Sequence, residues 1–286
     1  MIFLLGSLIA KHQDDLTHLK NISTVQLSLI SFLIIGSIIT NGMKLRALAG
    51  SFNIRLDIKE ILGLSSITTC LNNFFFKSGS LFTSNYLKRR YEFSFMFFVG
   101  SQGADHLVSF FINALCGLII SSIYLFSEKS IFLTISLSYL AITIALALIF
   151  SKTFDLQHRS NKYLNALIRA VNSLYRIIKN KPLFYTLCFF NLFIVALNTL
   201  RLFLVCKVLE LGIPFGYCLL FITLLPFIST IPIIQSDIGT RELIVGIFSQ
   251  WLGVSFEAGM LATLLDRCFI IFISIIIALF FFIFIY

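Results

Sequence analysis

The sequence has little charge and few of the residues that interrupt helices. Only 12% of the 286 residues are charged, and the chain holds four prolines. Soluble globular domains carry roughly 25% charged residues. A large soluble domain is therefore excluded.

Motifs of the common metal, cofactor and catalytic sites are also missing. The six cysteines form no C-x-x-C pair, and the four histidines lack metal-ligand spacing. There is no P-loop, Rossmann glycine pattern, H-E-x-x-H or G-x-S-x-G. We therefore expect no metal, no cofactor and no enzymatic activity. We also expect no nucleic-acid partner, although the net charge is +9. Binding of nucleic acid needs a folded domain with a basic surface, and the chain offers no such domain.

What the sequence has in abundance is apolar length. Hydrophobic residues make up 58% of the chain, and 33 residues are phenylalanine. About 20 apolar residues cross a bilayer, and five tracts have this length, at about 22–42, 106–126, 130–150, 183–206 and 258–285. We expect an all-α, polytopic transmembrane helical bundle that forms one integral membrane domain over residues 1–286.

Two further apolar tracts are interrupted by polar residues or prolines. Residues 60–104 contain "LNNFFFKSGSLFTSNYLKRRYEF", and residues 211–251 contain Pro214, Pro226 and Pro232. Irregular backbone at membrane depth is tolerated only where protein or a water-filled cavity covers it. We predict two re-entrant hairpins, at about 60–104 and 211–251.

Basic residues indicate the orientation of the chain. They follow the first span, beginning with Lys44, and they recur between 152 and 181. The positive-inside rule places these segments on the cytoplasmic side of a plasma (inner) membrane. Residues 161–181 predict an amphipathic helix with Lys162, Arg169 and Arg176 seven residues apart. This helix either binds the anionic inner leaflet or serves only as a connector that anchors the topology.

The two halves of the chain show similar patterns. Asp105-His106 and Asp266-Arg267 are 161 positions apart, and Gly79 and Gly239 are 160 apart. Each half has the order hairpin, short helix, charged pair and long span. Three spans separate the hairpins, so the hairpins would enter from opposite faces. The pattern predicts an inverted repeat, with a substrate site near the membrane midplane.

Asp237, Gly239, Arg241 and Glu242 fall within six positions between two apolar tracts. A charge inside a membrane helix costs about 2.5–3.5 kcal/mol on insertion scales. Gly239 allows a turn, and a helix that begins near Thr240 would direct unpaired N–H groups towards an anion. The Arg241 guanidinium suits phosphate or carboxylate.

We expect the charged residues of this segment to meet the next span. Asp237 and Glu242 would hold Arg241, and Asp266-Arg267 would supply a second pair. This arrangement predicts a polar pocket for an anionic or zwitterionic headgroup, with Arg241 and Arg267 on its phosphate. The alternative is a structural ion-pair network that locks the hairpin to its neighbours.

Two more polar sets have open interpretations. Asp105-His106 either couples transport to protons or forms a structural pair. Asn191, Asn198 and Arg201 lie on one helical stripe, so they either line a cavity or only hydrogen-bond neighbouring helices.

The segment 226–267 carries a proline, a glycine turn, the G-x-R-E sequence in "SDIGTRELIV" and a later span that opens with "LDRCFII". In these features it resembles the lysylphosphatidylglycerol synthase transmembrane (flippase-like) family, with Gly239, Arg241, Glu242 and Arg267 at matching positions. "NGMKLRAL" and "NNFFFKSGSLFTSNYLKRR" extend the resemblance into the first half. Asp237 replaces a second family glycine, and residues 102–106 replace a Glu-Arg pair.

The resemblance implies the membrane module of that family without aminoacyl-lipid synthesis, in a prokaryotic membrane. The leading hypothesis is a flippase-type protein whose partners are membrane lipids and which binds and translocates a phospholipid or lipid-linked saccharide headgroup. One alternative is a non-transporting partner of an envelope lipid or glycan biosynthesis enzyme. Another is an intramembrane transferase that acts on a lipid-linked sugar.

Overall fold

The computed structural model describes residues 23–74, 77–126, 131–152, 162–228 and 239–285. These ranges contain ten α-helices, a short 3-10 helix at Tyr124–Phe126 and no strand. In chain order the helices are α1 (Thr24–Gly50), α2 (Ile58–Phe74), α3 (Ser78–Tyr91), α4 (Phe95–Ile123), α5 (Ile131–Ser151), α6 (Lys162–Lys179), α7 (Lys181–Val208), α8 (Phe215–Ile228), α9 (Thr240–Trp251) and α10 (Phe256–Ile285). The predicted all-α helical membrane bundle is confirmed.

Five helices in the described ranges are long and apolar enough to cross a membrane, namely α1, α4, α5, α7 and α10. They coincide with the five apolar tracts of the sequence. Their outer faces carry exposed large apolar side chains such as Phe32, Phe189 and Leu279. Such a surface is stable against lipid and would be costly in water. The chain is therefore a multi-pass membrane protein.

Two helix boundaries differ from the prediction. α1 continues to Gly50, and Lys44, expected in a basic cytoplasmic segment, is buried inside the helix. α4 begins at Phe95, so residues 95–104 belong to a long span and not to the first hairpin. Asp105 consequently lies well inside α4 and does not open it. In both helices the charged residue finds partners within the bundle, and the helix has no reason to end there.

Each interrupted tract contains two short helices. α2 and α3 form the first pair, and their close approach depends on Gly79, because a Cβ there would meet the Thr68 carbonyl oxygen. The Gly79 N–H also donates to Asn72 Oδ1 at 2.9 Å. α8 and α9 form the second pair, and residues 229–238 between them lie outside the described ranges. The re-entrant course of both pairs stays a prediction.

The helix order of α1–α4 recurs in α7–α10. Each set consists of a long helix, two short helices and a long helix, and α1 and α7 pack against each other. The short helix α2 packs on α10, and its counterpart α8 packs on α4. A two-fold relation between the halves would produce this exchange of contacts. The inverted repeat itself stays a prediction.

The predicted amphipathic helix at 161–181 corresponds to α6, which packs along α4. Gly100 of α4 permits this contact, since a Cβ there would meet the Ala170 carbonyl oxygen and the Ser173 side chain. Arg169 and Arg176 remain exposed. α6 is thus attached to the bundle by its apolar face and presents its basic face outwards.

Candidate functional site

A polar cavity of about 460 Å³ lies between the two halves. Its wall comes from helices of both halves. The lining residues of α1, α2, α4 and α7 recur mainly at three- and four-residue intervals, which is one helical face, while α9 and α10 contribute one residue each. The polar residues of its lining are Ser37, Asn41, Lys44, Ser65, Thr68, Thr69, Asn72, Asn73, Ser80, Thr83, Gln102, Asp105, His106, Ser109, Asn113, Asn191, Asn198, Arg201 and Arg241.

 The short helix α8 adds only apolar side chains to the wall. The hydroxyl of its Thr223 pairs with the Tyr139 hydroxyl at 3.0 Å.

The first half supplies a closed triad of buried polar side chains. Lys44 of α1 donates from Nζ to Asp105 Oδ2 of α4 at 2.8 Å and to Asn191 Oδ1 of α7 at 3.1 Å. Asn191 Nδ2 donates in turn to Asp105 Oδ1 at 3.0 Å. Both carboxylate oxygens of Asp105 are thus occupied, and the charges of Lys44 and Asp105 neutralise each other.

The second half supplies a second buried pair. Arg201 of α7 donates to Asp266 of α10 through Nε at 2.6 Å and through Nη2 at 3.0 Å. Its Nη1 donates to Asn198 Oδ1 at 2.9 Å, and Asn198 also accepts from Ser37 of α1 at 3.3 Å. This two-point contact is the geometry in which arginine binds a carboxylate most strongly.

Arg241, the second residue of α9, is the least occupied of the buried arginines. Its Nη2 lies 3.7 Å from Asp266 Oδ2, and 21% of its side chain remains exposed, against 4% for Arg201 and 5% for Arg267. Its Nε has no hydrogen-bond partner among the described residues. Arg241 therefore faces the cavity with part of its donor set unused.

Glu242 and Arg267 form a third buried contact, at 3.3 Å from Oε1 to Nη1. Glu242 Oε2 accepts from the Gly239 N–H at 2.6 Å and so closes the start of α9. Arg267 Nη2 donates to the Asn73 carbonyl oxygen of α2 at 3.1 Å. These bonds join α9, α10 and α2, and Arg267 is not part of the cavity lining.

The structure brings together most of the predicted site residues, with different partners from those expected. We expected Glu242 to hold Arg241, but Glu242 bonds Arg267, and Asp266 lies beside both Arg201 and Arg241. Gly239 directly precedes α9 and has φ of 87°, in the left-handed region. Asp237 lies outside the described residues.

The first-half residues also have other partners. Asp105 bonds Lys44 and Asn191, while His106 lines the cavity and stacks on Phe110 with ring centroids 6.4 Å apart. Asn198 and Arg201 line the cavity and also bond side chains of α1 and α10, so both interpretations stay open. A role for Asp105 and His106 in coupling stays a prediction.

Lys44 and Asn113 are two of the several polar cavity residues that sequence reasoning missed. Lys44 was assigned to a loop, although Ser37, Asn41 and Lys44 recur at helical spacing. Asp105, Ser109 and Asn113 form a similar stripe on α4. Polar residues at three- and four-residue intervals inside an apolar tract were the signal available for both.

A further polar cluster, built on Glu60, lies outside the cavity lining. Glu60 Oε1 accepts from Tyr86 at 2.7 Å, and Tyr91 donates to Oε2 at 2.8 Å. Arg90 Nε lies 2.9 Å away, with 54% of its side chain exposed. Burial opposes ionisation of this carboxyl, but the bonds from Tyr86, the Asp57 amide and Tyr91, with the charge of Arg90, hold the pKa of Glu60 below its usual value. The cluster fixes the start of α2 against the end of α3.

Residues 13–278 of the chain match a known protein family, the one described as "Lysylphosphatidylglycerol synthase TM region". The match covers nearly the whole chain. No curated protein and no solved structure is significantly similar to it.

Proposed function

Because the chain belongs to the lysylphosphatidylglycerol synthase transmembrane family, we propose that it is a flippase-type protein that binds the phosphate of a lipid headgroup and moves the headgroup across the membrane. One observation carries the phosphate step. Arg241 lines the cavity, keeps part of its side chain exposed there, and has an Nε donor without a partner among the described residues. A phosphate oxygen is a suitable acceptor for such a donor.

The balance of charge supports an anionic ligand. Among the described residues, Lys44 is matched by Asp105, Arg201 by Asp266, and Arg267 by Glu242. Arg241 shares Asp266 with Arg201, whose contact with that carboxylate is shorter. In the described part of the chain, one positive charge is therefore left over at the wall, and an unpaired charge at such a site is costly. A bound phosphate would neutralise it.

The arrangement of the halves supports movement of the ligand. α2 of the first half packs on the last span of the second half, and α8 does the reverse. In transporters with inverted repeats, one repeat rocks against the other around a central site. We propose the same relation here, with the cavity as the central site in the inner membrane of a prokaryote. The substrate is then a phospholipid or a lipid-linked saccharide, and the protein moves it without chemical change.

The test uses the whole protein in liposomes with a fluorescent lipid labelled on its headgroup side. Reduction of outer-leaflet label by dithionite measures exchange between leaflets. We expect exchange with the wild-type protein and at least about a tenfold slower rate with Arg241→Gln, since one lost charge-assisted bond is about 1.5–3 kcal/mol. Arg89→Gln, at an exposed position in α3, is the matched control and should leave the rate unchanged.

Equal exchange by wild type and Arg241→Gln would overturn the role of Arg241. Absence of exchange for both phospholipids and polyprenyl-phosphate sugars would overturn the transport function. If Arg241→Gln also unfolds at a much lower temperature, the structural ion-pair network is the correct interpretation. Arg241→Lys helps to separate the phosphate site from the structural network. This variant keeps the positive charge and loses only the two-point geometry of the guanidinium.

A further inference from the structure

The cavity wall carries a second unpartnered polar atom, remote in sequence from Arg241. Asn113 of α4 is only 3% exposed and lines the cavity. Its Nδ2 donates to the Ser109 carbonyl oxygen at 2.8 Å, while its Oδ1 has no hydrogen-bond partner among the described residues. A buried amide oxygen without a donor costs about 1–3 kcal/mol. A ligand that donates an O–H or N–H at this point would recover that cost.

The acidic residues of the cavity wall indicate whether the ligand's donor is a neutral hydroxyl or a cationic ammonium group. Asp105 is the acidic residue of the described lining, and both its oxygens are bonded to Lys44 and Asn191. The neighbouring carboxylate of Asp266 is bonded to Arg201 through both oxygens. A cationic ammonium group needs a free carboxylate or a cage of aromatic faces. The described lining provides one phenylalanine, Phe98, and no such cage.

Neutral donors and acceptors dominate the rest of the wall. Asn41, Asn72, Gln102 and Ser109 lie on three different helices around the cavity. Amides and hydroxyls both donate and accept, which matches the hydroxyl groups of a polyol. From Asp105 to Asn113 the stripe on α4 extends over about 12 Å at 1.5 Å per residue. The polar part of the wall is therefore longer than a phosphate group alone.

We propose that the headgroup bound here is a phosphate ester of an uncharged polyol, such as glycerol or a sugar, and not an ammonium headgroup. This inference rests on the proposed function and narrows its substrate class. Arg241 contacts the phosphate, and Asn113 Oδ1 accepts from a hydroxyl of the polyol. Two orphaned groups of opposite type, one donor and one acceptor, are thereby satisfied by one ligand.

The test measures binding of soluble headgroup analogues to the purified full-length protein in detergent. The probes are glycerol 1-phosphate, glucose 1-phosphate, phosphocholine, phosphoethanolamine and inorganic phosphate, and the readout is the thermal unfolding midpoint over a titration of each. We expect the two polyol phosphates to bind about tenfold more tightly than phosphocholine, which corresponds to one hydrogen bond. Asn113→Leu should remove this preference and leave binding of inorganic phosphate unchanged.

The outcomes separate the inference from its premise. If phosphocholine or phosphoethanolamine binds as tightly as the polyol phosphates, the polyol inference is overturned while the phosphate site stands. If no phosphate compound raises the midpoint, or if Arg241→Gln binds all of them normally, the phosphate step of the proposed function fails. If Asn113→Leu does not fold, the order of affinities in the wild-type protein decides alone.

Discussion

The two halves of the molecule hold a buried basic–acidic pair at the same helical positions and build it differently. Lys44 is the twenty-first residue of α1, and Arg201 is the twenty-first of α7. Asp105 and Asp266 are each the eleventh residue of α4 and α10. The first pair is a closed, neutral triad with Asn191. The second has a two-point arginine contact and a further cation, Arg241, beside the same carboxylate.

We propose that this difference separates a structural pair from a binding site. A lysine makes one strong point contact, whereas the arginine fork fixes the orientation of a carboxylate. In the second half Asp266 is held rigidly by Arg201, so it cannot turn fully towards Arg241 at 3.7 Å. Among the described residues, the Arg241 Nε is thereby left without an acceptor. The first half has leucine, Leu81, where the 160-residue offset between the hairpin glycines would place the equivalent of Arg241.

The largest expected effect is that of removing one carboxylate from each half. Asp266→Asn leaves the buried Arg201 and Arg241 without their acid, and loss of one partner of a buried pair costs about 3–5 kcal/mol. Asp105→Asn should cost clearly less, because an unpaired lysine can lose its proton and an arginine cannot. Chemical unfolding of the purified variants in mixed micelles measures both.

Glu210→Gln, at an exposed position, is the control and should change the free energy of unfolding by no more than about 0.5 kcal/mol. Equal losses for Asp105→Asn and Asp266→Asn would show that the two pairs are equivalent. The contrast between the halves would then have no energetic basis.

Arg201→Lys would make the Arg201–Asp266 pair a lysine–aspartate pair, like that of Lys44 and Asp105. Lysine would reach Asp266 with one contact and lose the second contact and the bond to Asn198. We expect a loss of about 1.5–3 kcal/mol in the free energy of unfolding, the range for charge-assisted bonds. Arg46→Lys, on an exposed position of α1, should have little effect in the same assay. A neutral result at both positions would mean that the fork contributes nothing beyond its charge.

The two hairpin glycines, which the sequence presents as equivalents, are required for different reasons. Gly79→Ala places a Cβ against the Thr68 carbonyl oxygen and should cost about 1–3 kcal/mol by overpacking. Gly239→Ala forces alanine to φ of 87°, which costs about 1–2 kcal/mol. Asparagine tolerates left-handed backbone, so Gly239→Asn should be milder than Gly239→Ala, and Gly79→Asn should be worse than Gly79→Ala. Thermal midpoints in detergent measure this order.

Gly50→Ala is the matched control, because a Cβ there meets open space. It should leave the midpoint unchanged or raise it slightly. If asparagine is worse than alanine at both Gly79 and Gly239, close approach would govern both sites.

Sequence reasoning found the elements whose signal is local. The five spans depend on apolar length, and α6 on its amphipathic spacing, so both were predictable and both occur. The charged segment around Arg241 was also identified as a candidate site. Its pairing was not predictable, because Arg201 and Asp266 are 65 residues apart and their contact depends on how α7 meets α10. Lys44 was misassigned for the same reason, since its acid, Asp105, is 61 residues away.

The smallest expected effect is at Glu60, whose polar cluster differs from the two buried pairs in being partly open to solvent. The pKa of Glu60 is lowered in the folded protein from its ordinary value of 4.5. The ionised carboxylate therefore stabilises the fold above about pH 4.5, and this contribution is lost as the pH falls through the lower, folded-state value. Glu60→Gln should be less stable than wild type at neutral pH, and the difference should shrink in acid.

Unfolding of wild type and Glu60→Gln across about pH 3 to 7 measures this difference. Tyr86→Phe removes the shortest hydrogen bond to Glu60. The acid transition of this variant should therefore occur at a higher pH than that of the wild type. Arg90→Gln should matter least, because its exposed guanidinium is screened by salt. A difference between wild type and Glu60→Gln that grows as the pH falls would contradict the lowered pKa. It would also remove the distinction between this carboxylate, whose arginine partner is exposed, and Asp266, whose partners Arg201 and Arg241 lie inside the bundle.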